Sequence, residues 1–281
     1  AVYNFTVESD EVKEGTDAYS AVTDLHIGDV IDLEGMMYWY NAPNAHINKV
    51  TVVKESVADI AKSEGTLTYE QFMAAKDDTP VVIEAYVQSY AYNSAYGNVN
   101  MFLADYDGAY YAYRAVCDDA KAATLSKGVK VRVTGYKGSW AGEVEVAEGC
   151  SFEVINGYYI AAATDVTDKL GSDDDLAAYI NQLVAFKGLT VVASKAPDGS
   201  EVPFLYNWDG SGAAGSNSDL YFNVSYNGSV YNFTVESDEV PEGSAAYTAI
   251  TSLSIGDEVD LEGFLYWYNS PNPHINKVTV K

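Results

Sequence analysis

Four short runs place aromatic rings beside amide or carboxylate side chains: Tyr38-Trp39-Tyr40-Asn41, Tyr266-Trp267-Tyr268-Asn269, Tyr206-Asn207-Trp208-Asp209, and Tyr90-Ala91-Tyr92-Asn93 with Tyr96 nearby. Ring faces stack on the apolar C–H faces of a sugar, and Asn or Asp beside them reaches its hydroxyls. The chemistry on offer is noncovalent binding of a glycan. Strand alternation then sorts the rings, because successive side chains of a strand point to opposite faces. Val259, Leu261, Gly263, Leu265 and Trp267 share one face, which reads as core; Glu262, Phe264, Tyr266 and Tyr268 share the other. Trp267 and Trp39 are therefore expected to pack. The ligand candidates are Tyr206, Trp208, Tyr266, Tyr268 and Asn269, with Tyr38, Tyr40 and Asn41 as counterparts. Trp208 and Trp140 each sit among Gly, Ser, Asp and Asn in a loop, where an aromatic either contacts a ligand or caps a barrel.

Other chemistry is sparse. There is no GxSxG, HExxH or GxxxxGK[ST] run, and no Cys or His set with zinc spacing. The expectation is a chain that is not an enzyme, with no catalytic residues, no metal site and no cofactor. Carboxylate pairs exist among 41 acidic residues, but a small repeated unit argues against glycoside hydrolysis. The run at 173–175 reads as the acidic first turn of a helix capped by Ser172 or Asp173, and it lacks the ligand spacing of a calcium loop. His46 and His274 stand at matching positions before a final strand and are expected to fix that loop. Cys117 and Cys150 allow either one bridge within a unit or two buried free thiols.

These residues lie in a repeated framework. Residues 2–52 return as 230–280 with 38 of 51 positions identical. That separation is far longer than a solenoid period, so the copies belong to small domains in tandem, a habit of binding modules. The first copy is expected to be the C-terminal half of a domain whose beginning is missing. The charge, 16 basic against 41 acidic side chains and a net of −25, is expected to exclude nucleic acid, whose nonspecific affinity comes from Lys and Arg neutralising phosphates. It leaves neutral glycans, basic partners or calcium. No apolar run reaches the ~20 residues of a membrane helix, so no direct membrane insertion is expected; no signal peptide is visible either.

The strand and turn signals predict an all-β chain of tandem OB-fold-like five-stranded barrels joined by short helical linkers. The expected divisions are a half unit over 1–53, a helical linker over 54–78, a barrel over 79–163, a helical linker over 164–179, and a barrel over 180–281 whose second half repeats 2–52. Complete barrels are expected near 79–155 and 180–281. Asp107-Gly108 and Asn227-Gly228 mark hairpins at corresponding places in the two barrels.

The run FLADYDGAYYAYR followed by GVKVRVTGYKGSWAGEVEV, matched at 105–108, 128–135 and 142–146, resembles the OB-fold modules of large secreted and surface proteins of gut Firmicutes and Bacteroidetes. The resemblance implies a secreted or cell-surface protein that binds a neutral polysaccharide, with starch-like glucan as the leading guess, or else a structural spacer that binds other surface proteins.

Overall fold

The computed structural model describes residues 3–23, 25, 29–54 and 62–281. The first described segment carries helix α1 (Asp17–Thr23), then β1 (Val30–Tyr40) paired antiparallel with β2 (Ala42–Lys54). Asn41 makes the tight connection at φ 61°. Of the helical linker expected over 54–78, residues 55–61 lie outside the described residues. Helix α2 (Tyr69–Ala74) follows, and Thr68 caps it: its Oγ1 accepts from the Gln71 N–H while the Gln71 side-chain oxygen accepts from the Thr68 N–H.

The middle sheet contains β3 (Pro80–Asn93), β4 (Asn98–Ala104), β5 (Ala109–Val116), β6 (Val129–Trp140), β7 (Glu143–Val146) and β8 (Ser151–Tyr158), with the short helix α3 (Asp119–Ala122) between β5 and β6. Strand β3 pairs with both β4 and β6, β5 runs parallel to β7, and β8 flanks β6. Residues 143–158 form two strands, β7 and β8, because the turn at Gly149 (φ 85°) breaks the run. The core holds Phe72, Ile83, Met101, Tyr110 and Val133.

Strand β9 (Thr164–Asp165), a 3-10 turn at Thr167–Lys169 and helix α4 (Asp173–Ala177) lead into the C-terminal barrel. Ser172 caps α4, so the acidic run at 173–175 serves the helix start. The barrel strands are β10 (Leu183–Val192), β11 (Ser194–Lys195), β12 (Glu201–Val202), β13 (Phe204–Tyr206), β14 (Leu220–Tyr226), β15 (Ser229–Val235), β16 (Glu258–Trp267) and β17 (Pro271–Val280), with helix α5 (Ala245–Thr251) before β16. Five of them close on themselves in the order β10, β14, β15, β17, β16 and back to β10, which is the pairing order of an OB-fold. The β14–β15 hairpin turns through Asn227 (φ 48°) and Gly228 (φ 81°), the doubly positive pair of a two-residue turn.

The repeated sequence takes the same local form twice. Strands β1 and β2 share register with β16 and β17, including an irregularity after Glu34 and after Glu262. Thr6 bridges His46 as Thr234 bridges His274. Cys117 and Cys150 are buried free thiols, so no bridge is formed. The Val116 N–H bonds the Cys150 carbonyl at 2.8 Å, which makes the segments neighbours, but the Cys117 Sγ faces the Asp118 carbonyl and the Cys150 Sγ that of Tyr113.

Candidate functional site at a junction of two sheets

Phe264 points off the barrel by strand alternation, yet it is only 1% exposed. Its face of β16 docks on β4 and β5 of the middle sheet. The Phe264 ring stacks on Phe102 with centroids 4.4 Å apart and planes at 7°, and Tyr266 meets Tyr111 edge-on at 5.5 Å. Leu183 completes a small apolar cluster that is separate from both cores. Polar bonds pin its border: the Trp267 N–H donates to Glu143 Oε2 at 2.8 Å, the Asn269 N–H to the Ala141 carbonyl at 2.6 Å, and Asn181 Nδ2 to the Val144 carbonyl at 2.9 Å. Gly142 holds φ 94°, and a Cβ there would lie 2.5 Å from the Trp267 ring. Only glycine admits that approach. Burial pushes the Glu143 carboxyl up to about 8 against the bonds from Asn181 and Trp267.

Beside this cluster opens a cleft of 270 Å³. Tyr111 of the middle sheet and Tyr221, Tyr266 and Tyr268 of the barrel wall it. Glu236, Asp238 and Glu239, from the turn after β15, supply carboxylates, and Asn100, Asn272 and His274 complete the lining. His274 is buried; its Nδ1 lies 3.3 Å from Glu239, while its Nε2 is 3.7 Å from Glu236 and has no hydrogen-bond partner. Burial alone would lower the imidazole pKa, but Glu239, Glu236 and Glu143 outweigh it and leave the value raised. Burial lifts Glu236 to about 7, with Asp219, Glu239 and Asp238 adding to the rise and His274 opposing it. Asn100 and Asp238 also line a neighbouring depression of 230 Å³ with Tyr92, Tyr96, Tyr113 and Arg114. Arg114 adopts φ 44°, unusual for a branchless cationic residue, and Asn100 Oδ1 accepts its N–H at 2.9 Å. Ring faces with carboxylates at their edges favour a cation, since the quadrupole of each ring presents a negative face.

The first copy builds the same cluster without the middle sheet. His46 lies 3.8 Å from Glu8 and 3.6 Å from Glu11, the Tyr38 ring is 4.8 Å from His46, and Thr6 donates to Asn44 as Thr234 does to Asn272. The sequence reading put each His in a loop before the last strand; the structure instead places His46 within β2 and His274 within β17, where each faces two carboxylates of the segment that follows its bridged Thr.

Of the sequence-predicted ligand residues, the structure brings Tyr266 and Tyr268 together in the cleft. Asn269, at φ 60°, reaches the middle sheet through its backbone. Tyr206 is half-buried on the barrel core beside Phe204, and Trp208 is 74% exposed; neither lines the cleft. Trp140, Tyr38 and Tyr40 are exposed, and Asn41 forms the β1–β2 turn. Trp267 packs on the barrel core, as alternation predicts, and also covers Gly142, whereas Trp39, expected to pack likewise, is 69% exposed. Sequence reading missed Tyr111, Tyr221, Glu236, Asp238 and Glu239. The identical runs TVESDE at 6–11 and 234–239, each followed by a matching His, carried a signal for the acidic part; nothing in the sequence links Tyr111 to them.

No family model and no curated protein matches the chain. Solved structures that resemble it include the HINb domain of p204 (10% identity, TM-score 0.33, covering 73% of this chain and 98% of that one). The Ifi202 HINa domain in complex with 20-base-pair duplex DNA resembles it at 10% identity and TM-score 0.31, covering 73% and 96%. A replication protein A heterotrimer bound to single-stranded DNA gives 8% and 0.26, covering 90% and 78%. Likenesses this distant carry neither a family nor a function to the chain. The sequence reading is corrected all the same: the likenesses found are to HIN domains and replication protein A. The resemblance to gut-bacterial surface modules is withdrawn, and with it polysaccharide or starch binding, the cell-surface spacer, a surface-protein partner and a secreted or cell-surface location. The exclusion of nucleic acid is withdrawn too, since DNA complexes stand among the matches. Among the described residues no group of three or more His, Cys, Asp and Glu is placed to hold a metal, and no helix is long and apolar enough to cross a membrane.

Proposed function

We propose that the chain is a noncatalytic binding module. Two OB-like barrels, one the C-terminal barrel and one formed by the middle sheet, dock to create a cleft for a cationic group on an extended segment. The carrying observation is the convergence of Tyr111 of the middle sheet with Tyr221, Tyr266, Tyr268, Glu236, Asp238 and Glu239 of the barrel. Two features support an extended ligand. The cleft shares Asn100 and Asp238 with the next depression, and a net charge of −25 attracts a basic chain over a distance of about a Debye length. The unpartnered Nε2 of His274 offers a polar anchor inside the cleft.

The test is titration with a lysine-rich peptide, with its trimethyllysine form and with free tetramethylammonium, followed by fluorescence anisotropy of the peptides and calorimetry of the small cation. Peptide binding that weakens with salt is expected. Asp238→Asn and Tyr268→Ala should each weaken it roughly fivefold, the ~1 kcal/mol of one exposed cation–π or charge contact, with little change in melting temperature. Duplex and single-stranded DNA form the comparison arm. No binding of any cation, binding that ignores both substitutions, or DNA that competes with the peptide would overturn the reading.

A further inference from the structure

The outer face of β4 carries Phe102 into the junction, and the same face continues beyond it. Alternation puts Asn98 and Asn100 on that face with Phe102, while Val99, Met101 and Leu103 fill the core of the middle sheet. The neighbouring strand β3 adds Asn93, opposite Asn98. On the other side β5 bulges: Tyr113 and Arg114 together oppose Asn100, and Arg114 takes φ 44°. A bulge re-aims side chains, and one that keeps a non-glycine residue at positive φ is retained against strain. Here it makes Arg114 part of the wall of the 230 Å³ depression that adjoins the cleft.

The polar groups left over in that wall are donors. Asn93 Oδ1 accepts from the N–H groups of Ala95 and Tyr96 at 3.1 and 3.3 Å, and Asn100 Oδ1 from that of Arg114 at 2.9 Å. Each amide is thereby held by its oxygen, and among the described residues no acceptor meets either Nδ2. The Arg114 guanidinium lies 5.0 Å from the centroid of the Tyr113 ring, and its contact with Glu148, Nη1 to Oε1, is 3.4 Å long and exposed. A guanidinium beside a ring keeps N–H edges open to a planar acceptor. Asp238 is the acidic group of the wall, and it stands on the boundary with the cleft, where Asn100 is shared too.

We infer that the depression is an anion subsite, in which Arg114 and the amides of Asn93 and Asn100 bind a carboxylate of the same ligand whose cation enters the cleft. The inference rests on the cation-binding reading and narrows its ligand to an extended peptide segment with a basic and an acidic side chain two residues apart. Side chains so placed lie on one face of a strand, ~7 Å apart, which suits two hollows that share a wall. A net charge of −25 repels a carboxylate from the protein as a whole, so a gain in affinity from an acidic residue has to arise at a local cationic site.

Fluorescence anisotropy with the full chain compares labelled peptides that carry Lys-Ala-Glu or the reverse order Glu-Ala-Lys in a Gly-Ser frame with the same peptides bearing Gln for Glu. One order of the glutamate peptide should bind about fivefold tighter than its glutamine form, the yield of one exposed charge contact. Arg114→Asn removes the guanidinium and places a residue that accepts positive φ; Asn93→Asp keeps the oxygen that the Ala95 and Tyr96 N–H groups need and removes the amide donor. Each variant should abolish the preference for glutamate, hold the glutamine peptides at least as tightly as before, and keep the melting temperature. If neither glutamate peptide binds tighter than its glutamine form, while the glutamine peptides bind and lose affinity on Tyr268→Ala, the anion subsite is overturned and the cation cleft stands. A preference for glutamate that survives both Arg114→Asn and Asn93→Asp also overturns it. If no peptide binds at all, the cation reading fails and the subsite falls with it.

Discussion

Phe264 of β16 lies face to face on Phe102 of β4, with ring centroids 4.4 Å apart and planes within 7°. One strand face thereby serves as the outside of one barrel and the inside of a junction. The Tyr266 ring continues the contact and then turns into the cleft, so the same strand that docks the two bodies also walls the candidate site.

Phe264→Ala should cost about 3 kcal/mol of barrel stability, the range for removing a buried aromatic, and should weaken docking. Urea unfolding followed by Trp emission is the measurement. In the variant the barrel transition should fall below that of the middle sheet; a coincident, unshifted transition would show that this pair does not couple the bodies.

Alkaline pH should loosen the junction. Glu143 is pushed up to about 8 by burial, so its proton stabilises the docked state fully below its ordinary value near 4.5, and that contribution disappears as pH rises through 8. Glu145 and Glu236, both raised to about 7 chiefly by burial, act in the same direction, as does the raised imidazole of His274. Glu143 alone should take about 2–3 kcal/mol of stability between pH 6 and pH 9, and Glu145 and Glu236 about 1 kcal/mol each. Glu143→Gln should remove about half of that slope in thermal melts across the range; an unchanged slope would place the titration elsewhere.

In the middle sheet the buried Glu84 carboxylate pairs with Lys130 at 2.9 Å and with Arg132 at 2.7 Å. Burial would raise its pKa, but hydrogen bonds from Ser63, Lys130 and Arg132 prevail and hold it at about 2. Its contribution is therefore complete above the ordinary carboxylate value and lost as pH falls through 2. Glu84→Gln strands the Lys130 ammonium, which is 2% exposed, and should cost about 3–5 kcal/mol at pH 7. Adding Lys130→Met should recover part of the loss in chemical denaturation.

The two thiols should be inert in the folded protein. Burial lifts Cys150 to about 12 and raises Cys117 as well, so little thiolate exists at neutral pH. Ellman reagent should titrate neither thiol natively and both in denaturant. A mass lower by two hydrogens in protein kept without reductant would restore the bridge.

Much of the architecture was legible because strand signals are local. Alternation, the hairpin pairs Asp107-Gly108 and Asn227-Gly228, and the 38 identities between the repeats placed the barrel strands and the twin hairpin. Alternation also found the core face of β16 but read Phe264, Tyr266 and Tyr268 as facing solvent. A period of two says which face a side chain joins and is silent on what covers that face. The split of β7 from β8 and the run of β3 through Tyr90 and Tyr92 depend on partners distant in sequence, which no local signal reports.

By itself, then, the sequence determined the all-β composition of the barrel strands, their order, the duplication of one half unit and the acidic balance, each a property of residue types and short spacings. Only the tertiary structure decided that Tyr111 meets Tyr266, that Glu143 loses water, that Gly142 passes beneath Trp267 and that Phe264 is buried against Phe102. Those outcomes depend on which surfaces come together across more than a hundred residues of chain, and burial, not residue identity, sets the energy of each group there.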